Sequence, residues 1–339
     1  MDEAGAVARS EDVDFGRRQK TARGARTPVV VVTGFLGSGK TTLIRNFLAS
    51  PEGQGTAIIV NEFGEIGIDH ALLRSGSEAT VLLGNGCLCC TVRSDLEVTM
   101  RELMADALTG RIPSFRRIVI ETSGLADPGP ILQTVAADRG MAREFHIDAM
   151  VTLVDAVNGA SAIADASEAR RQIALADRLV LTKTDLAADT APLLESLRAL
   201  NPHARILTAR HGVVDPDVWT TAEIPHGRSI EEGYTHAHHS ADIESFVLRF
   251  DKPVNWRRMA TALDALMQFR GADLLRIKGI LAIEECEGPV IVQAVQHVLH
   301  PPTELEAWPD DDTEGRLVFI TRGLGRDQVA GVLNGILAL

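Results

Sequence analysis

The chain is poor in cysteine, in basic charge and in long apolar runs, and each shortage removes a class of protein. Four cysteines in 339 residues are too few for a disulfide-built secreted scaffold. Lys and Arg number 34 against 46 Asp and Glu, a formal net charge of −12. Most of the surface therefore repels polyanions, which argues against a general binder of nucleic acid or of an anionic membrane. The longest apolar runs, such as VVVV at 29–32, fall far short of the roughly 20 residues that a bilayer-spanning helix needs. Internal repeats are also lacking. The only low-complexity piece, PDDDTEG at 309–315, reads as a solvated acidic loop.

What is present is ordinary for a globular chain: 45% hydrophobic and 24% charged residues. A length of 339 residues is long for one core and suggests two domains. Residues 1–27 are acidic and then basic, and read as a disordered tail. Arg17 and Arg18 precede an apolar stretch, as in some export signals, but that stretch runs straight into a phosphate-loop motif and must be a core strand. The expected location is the cytoplasm, where clustered thiols are metal ligands or redox groups more often than disulfides.

From residue 28 onward, short β-branched runs alternate with helical patterns, as in a parallel sheet wound by helices. The strands are PVVVVTG, TAIIVNE, TVLLG, RRIVIET, AMVTLVDA, DRLVLTK and ARILTA. Helical spacing marks KTTLIRNFLAS, DLEVTMRELMADAL, ASAIADASEARRQIAL and APLLESLRAL. The pattern fades near residue 215. The expectation is an α/β P-loop NTPase domain with a doubly wound, mostly parallel sheet over 28–222, a histidine-containing linker over 223–242, and a smaller α+β domain over 243–339. Within the last, SFVLRF opens a strand, a helix covers about 254–269, and LLRIKGILAIEE, PVIVQAVQHV and RLVFITRG supply further strands.

Three motifs carry nucleotide chemistry. GFLGSGKTT at 34–42 follows an apolar strand and precedes a helix, the context of a phosphate loop. Gly34, Gly37, Ser38 and Gly39 let main-chain N–H groups face phosphates, Lys40 reaches the β and γ oxygens, and Thr41, followed by Thr42, offers a hydroxyl to Mg²⁺. IVIETSG at 118–124 closes a second strand with Glu121, an acid suited to the Mg²⁺ shell, and places Gly124 where its N–H can meet a γ-phosphate. LTKTD at 181–185 closes a third strand. Guanine presents N1–H and an exocyclic amine side by side, so a single carboxylate, Asp185, can accept both, with Lys183 lying along the base plane. Adenine lacks that donor pair, so the expected nucleotide is GTP.

GNGCLCCTV at 84–92 holds three of the four cysteines. Adjacent Cys89 and Cys90 would make a strained disulfide. Cys87 and Cys89 share one face of an extended segment, and the turn set by Gly84 and Gly86 can swing Cys90 inward. Three thiolates suit Zn²⁺ or Cu(I), and packing of small apolar groups accounts for one such residue, not three. Solitary Cys286 reads as a core residue. Glu62 and Glu65, in NEFGEIGID, either complete a metal shell or are solvated loop acids. His236, His238 and His239, with His226 nearby, either hold Zn²⁺ loosely or are idle linker residues.

Taken together, GFLGSGKTT, VNEFGEIGID, NGCLCC, ETSGLADPGPI, LTKTD and the trailing α+β domain resemble the CobW-type metal-chaperone GTPases. That family includes cobalamin-pathway CobW proteins, zinc-regulated GTP metalloprotein activators and nitrile hydratase activators. The resemblance runs from about residue 28 to the C-terminus, and C-x-C-C within a P-loop GTPase is its hallmark. It implies slow GTP hydrolysis coupled to delivery of a transition metal, Zn²⁺ foremost with Co²⁺ or Fe²⁺ as alternatives, to a client metalloprotein. By position, Gly37 to Thr42 would hold the phosphates, with Lys40, Thr41 and Glu121 the catalytic set. Lys183 and Asp185 would hold the guanine, and Cys87, Cys89 and Cys90 the cargo. Two readings compete with this one: a metal buffer or sensor that uses GTP only as a conformational ligand, and a P-loop kinase with a structural zinc, which LTKTD disfavours. The sequence names neither the client nor the oligomeric state.

Overall fold

The structure, a computed structural model, describes residues 26–61, 81–84, 92–137, 139–219, 243–309 and 311–338. The chain divides into two compact units, one spanning Ala25–Glu223 and the other containing Ile224–Leu339.

The first unit is built on seven strands: β1 Thr27–Gly34, β2 Thr56–Asn61, β3 Val81–Gly84, β4 Arg117–Thr122, β5 Phe145–Asp155, β6 Arg178–Thr182 and β7 Arg205–Thr208. They hydrogen-bond in the order β3-β2-β4-β1-β5-β6-β7, and every pair is parallel. Parallel pairing forces a crossover between strands, and the helices α1 Lys40–Ala49, α2 Val92–Leu108, α3 Gly129–Ala137, α4 Arg139–Glu144, α5 Gly159–Asp165, α6 Ser167–Leu175 and α7 Ala191–Leu200 lie between them in the chain. β1 is the central strand, and Val29, Val30, Val31 and Val32 are each 0% exposed. That explains the unbroken valine run: a strand covered on both faces has no polar side to alternate with. One core cluster joins Val30, Val32, Ile44, Phe47, Val151 and Val180. Another joins Ile173, Leu179, Leu181, Leu193 and Leu197.

All seven expected strands are present, with three differences around them. β5 starts at Phe145, earlier than the AMVTLVDA reading, because Phe145, His146 and Ile147 pair with Thr27, Pro28 and Val29. The single helix expected over 160–175 is two helices, with Ala166 extended between them at φ −120°, ψ 120°. Arg170 donates to the carbonyls of Ile163 and Ala164 at 2.6 and 3.1 Å, satisfying acceptors that the break leaves at the end of α5. Helix α4 had no counterpart in the sequence reading, and neither did helix α3. Its entry is marked by Asp127, whose Oδ1 accepts from Gly129 N at 2.9 Å.

The apolar pattern was expected to fade near residue 215, yet a 3-10 turn at Pro216–Trp219 belongs to the first core. The Trp219 ring stacks on Phe47 of α1, centroids 3.9 Å apart, and the Arg117 guanidinium lies 5.6 Å from the centroid of the Phe47 ring. Arg117 and Arg178 donate to the carbonyls of Trp219 and Val218 at 2.9 and 3.1 Å.

The second unit is antiparallel. Its strands β8 Ile243–Phe250, β9 Leu274–Leu281, β10 Val290–Val295, β11 Val298–Leu299 and β13 Gly315–Arg322 order as β11-β10-β9-β13-β8, with β12 Thr303–Glu304 on β10. Helices α8 Trp256–Arg270 and α9 Arg326–Leu337 pack Leu263, Leu266 and Leu333 onto Ile277, Leu317 and Phe319. Asn255 caps α8 by accepting from Arg258 N at 3.2 Å. Half-buried Cys286 packs against the edge of this core, and burial, with the nearby carboxylates of Glu304 and Glu285, pushes its thiol up to about 11.

Trp219→Ala would remove a stacked, fully seated indole, and the expected loss is about 3–5 kcal/mol of stability in the first unit. Urea unfolding followed by far-ultraviolet circular dichroism measures it. A loss below about 1 kcal/mol, within the range of ordinary surface changes, would show that the turn is not part of this core.

Candidate functional site

The carboxyl ends of β1, β4, β5 and β6 meet on one edge of the sheet. β1 has β4 on one side and β5 on the other, the point where the winding reverses and where open parallel sheets hold ligands. Between β1 and α1 the chain turns through Gly37 and Gly39 at φ 73° and 92°, values that a side chain disfavours. The turn is closed by Ser38 N donating to Phe35 O at 3.2 Å. Lys40 Nζ folds back on the loop, donating to the carbonyls of Gly34 and Phe35 at 2.8 and 3.3 Å. Its ammonium is thereby held over the bend that the glycines form, at the N-terminus of α1, where exposed N–H groups favour an anion.

Side chains tie the other strand ends to this loop. Thr41 Oγ1 donates to Glu121 Oε1 at 2.8 Å, joining the first turn of α1 to the end of β4. Thr122 Oγ1 donates to Thr33 Oγ1 at 2.7 Å, joining β4 to β1. Gly124 lies so close to the loop that a Cβ there would come within 2.8 Å of Leu36 N. No other residue fits that position without moving the main chain. Thr182 Oγ1, at the end of β6, donates to Ser38 O at 2.8 Å. Three motifs separated by long stretches of sequence are thus bonded into one site.

Lys183 has φ 55°, an uncommon conformation for a residue with a side chain and one that marks a constrained turn. Its ammonium reaches Asp155 Oδ2 at 2.7 Å. Asp155 closes β5, is 7% exposed, and also accepts from Val157 N at 2.8 Å and Asn158 Nδ2 at 2.9 Å. Burial pushes its carboxyl up, but the hydrogen bond from Lys183, with those from Asn158 and Val157, outweighs burial and holds it below the ordinary carboxylate range. Asp185 stands on the rim of an open concavity of about 620 Å³, with Thr184, Asp189, Thr208, Arg210 and His211 around it. His211 Nδ1 is 3.9 Å from Asp185 Oδ2.

Lys40, Thr41, Glu121, Gly124, Lys183 and Asp185 therefore lie along one edge, on the same face of the molecule as Gly34, Gly37, Ser38, Gly39 and Thr42. Asp155, Arg210 and His211 were missed by sequence reasoning. The available signal for Asp155 was a third strand closing on a carboxylate, in VDA. Cys87, Cys89, Cys90, Glu62, Glu65, His236, His238 and His239 lie outside the described residues. Among the described residues, no group of three or more His, Cys, Asp or Glu side chains is placed to hold a metal ion, and no helix is long and apolar enough to cross a membrane.

Comparison with known proteins gives two family matches: CobW/HypB/UreG, nucleotide-binding domain, over residues 28–208, and the cobalamin synthesis protein cobW C-terminal domain over 243–337. The chain is 33% identical to the zinc chaperone YjiA of Escherichia coli across 91% of this chain and 98% of that protein. It is 33% identical to the zinc chaperone CobW of Pseudomonas aeruginosa, across 93% and 92%. To the zinc-regulated GTPase metalloprotein activator 1 of Schizosaccharomyces pombe it is 36% identical, across 56% of this chain and 47% of that one. The crystal structure of the Zn(II)-bound YjiA GTPase from E. coli superposes with a TM-score of 0.66 at 28% identity, covering 92% and 99% of the two chains.

Two substitutions test the base-binding geometry. Asp185→Asn replaces one of the two carboxylate acceptors expected to face the guanine donors with an amide donor, and Asp155→Asn removes the charge that holds Lys183. Each is expected to weaken GTP by about 1–3 kcal/mol and to leave ATP binding unchanged in a competition titration. Equal affinity of the unmodified protein for GTP and ATP would contradict the guanine assignment.

Proposed function

We propose that this chain, which belongs to the CobW/HypB/UreG family, is a GTP-hydrolysing metallochaperone that carries zinc and delivers it to a client protein. The observation that carries the nucleotide half of this reading is the 2.8 Å bond between Thr41 and Glu121. It brings a hydroxyl and a carboxylate together at the end of the phosphate loop, the hard oxygen donor set that Mg²⁺ selects. Mg²⁺, when bound there, supplies charge neutralisation at the β and γ oxygens.

The remaining roles belong to the chain. Main-chain N–H groups from Gly37 to Thr42 hold the phosphates, and Lys40 stabilises charge that develops on the transferred group. Gly124 offers its N–H to the γ-phosphate. Asp185 accepts the paired guanine donors while Lys183, fixed by Asp155, flanks the base. Water attacks the γ-phosphorus and the β–γ bridging bond breaks, giving GDP and phosphate. Zinc is the cargo, with Cys87, Cys89 and Cys90 as its proposed thiolate ligands. Zinc is also the metal in the names of the relatives matched here. Those cysteines lie between the phosphate loop and Glu121 in sequence. A γ-phosphate that reorganises this stretch would alter their geometry, and hydrolysis would release the ion.

Phosphate release tests this function. Lys40→Ala is expected to lower GTP turnover by roughly 100-fold or more at an unchanged melting temperature. Replacing Cys87, Cys89 and Cys90 together with serine is expected to abolish tight zinc binding and leave metal-free GTP affinity intact. Unchanged turnover in the first variant, or stoichiometric tight zinc in the second, would contradict the respective assignment. Zinc binding without GTP turnover in the unmodified protein would mark a buffer instead.

A further inference from the structure

Helix α6 packs beneath the nucleotide site and presents one buried polar side chain to it. Gln172 is 1% exposed. Its Nε2 donates to the carbonyls of Gly124 and Ala126 at 3.1 and 3.0 Å, and the main-chain carbonyl of Gln172 accepts from Thr152 Oγ1 at 2.8 Å. Both partners of Nε2 are carbonyl oxygens, which only accept, so the amide orientation is determined. Oε1 is then left buried without a partner among the described residues, and Ser38 Oγ of the phosphate loop is in the same condition. Ser38 is 1% exposed. Gln172 and Ser38 line one small, partly open cleft of about 30 Å³ among mostly apolar side chains, enough room for a water molecule. The two residues border the same space and each has a buried polar atom that requires a partner, which a single water bound between them would supply. The preceding residue adds a second hold, since Arg171 pairs with Asp127 in the same loop as Gly124 and Ala126.

We infer that Gln172 is a positioning residue for hydrolysis: it clamps the loop after Glu121 against the phosphate loop and is joined to Ser38 through one ordered water. The inference rests on the GTPase reading above. Gly124 lies against Leu36 with no room for a Cβ, so the place of its N–H is set by what holds its main chain, and Gln172 holds the carbonyl of that same residue. GTP has a γ-phosphate for that N–H to meet, and GDP has none. Loosening the clamp therefore penalises GTP and its transition state while sparing GDP.

A double-mutant cycle tests this with Gln172→Met, which keeps the length of the side chain but loses the amide, with Ser38→Ala, and with both changes together. The readouts are affinity for GDP, affinity for a non-hydrolysable GTP analogue, single-turnover phosphate release and melting temperature. Gln172→Met is expected to lower analogue affinity and single-turnover rate by roughly tenfold each, with GDP affinity changed by less than about twofold. Because both residues act on one water, the double variant is expected to lose less than the product of the two single losses. Equal weakening of GDP and analogue, or an unchanged single-turnover rate, overturns the positioning role. Strictly multiplicative losses overturn the shared water. If Gln172→Met melts early, Gln172→Asn, whose amide stops one carbon short of both carbonyls, must show the same selective loss of analogue over GDP. If the unmodified protein hydrolyses no GTP, the GTPase reading fails by itself, and the analogue-to-GDP affinity ratio still decides whether the clamp exists.

Discussion

The hydrogen bond from Thr41 Oγ1 to Glu121 Oε1, 2.8 Å long between residues 80 apart in sequence, can form only if β1 and β4 are neighbours with their carboxyl ends level. The register provides this, pairing Val31 with Ile120 and Val32 with Glu121. The bond between Thr122 and Thr33 repeats the constraint one residue further along β4. Everything proposed about phosphates depends on that alignment, because it places an acid and a hydroxyl at the first turn of α1 together. A one-residue slip would turn Glu121 to the opposite face of the sheet.

Burying acids at this edge has to be compensated. Glu121 is 5% exposed and Asp155 7%, and a buried carboxylate is costly unless it is hydrogen-bonded. Glu121 sits against the N-terminal turn of α1, whose dipole favours negative charge, and accepts from Thr41. Asp155 gathers a lysine, an asparagine and a main-chain N–H. These bonds also orient their donors. The charge that stabilises Asp155 is the ammonium of Lys183, so a buried structural carboxylate and the lysine proposed to flank the base are parts of one arrangement. Relieving either would loosen the turn that carries Asp185.

The parts of this molecule that sequence made legible are those whose meaning is local. A glycine-rich turn between a strand and a helix declares its backbone geometry by composition, and GFLGSGKTT does so. The run of four valines in β1 declared its burial, and the alternation of strands and helices declared the parallel sheet. Gln172, Asp155 and Trp219 were not legible, because each takes its role from a partner far away in sequence. A glutamine in the middle of a helix is ordinary until its amide is found on two carbonyls 48 and 46 residues away. The break at Ala166 was hidden for a similar reason, since ASAIADASEARRQIAL keeps helical spacing throughout and the interruption is secured by Arg170 from the next turn. Cys87, Cys89 and Cys90, readable as a metal motif from residue type and spacing alone, lie outside the described residues.

The central claim is that nucleotide state governs how tightly the cysteine loop holds zinc. Its most direct test is the zinc affinity of the full chain measured in a competing chelator with a non-hydrolysable GTP analogue, with GDP and without nucleotide. The account predicts that the analogue and GDP states differ by roughly 5 to 150-fold, about 1–3 kcal/mol, and that zinc alters analogue affinity relative to GDP by the same factor, as linkage requires. Identical zinc affinities in all three states would contradict it.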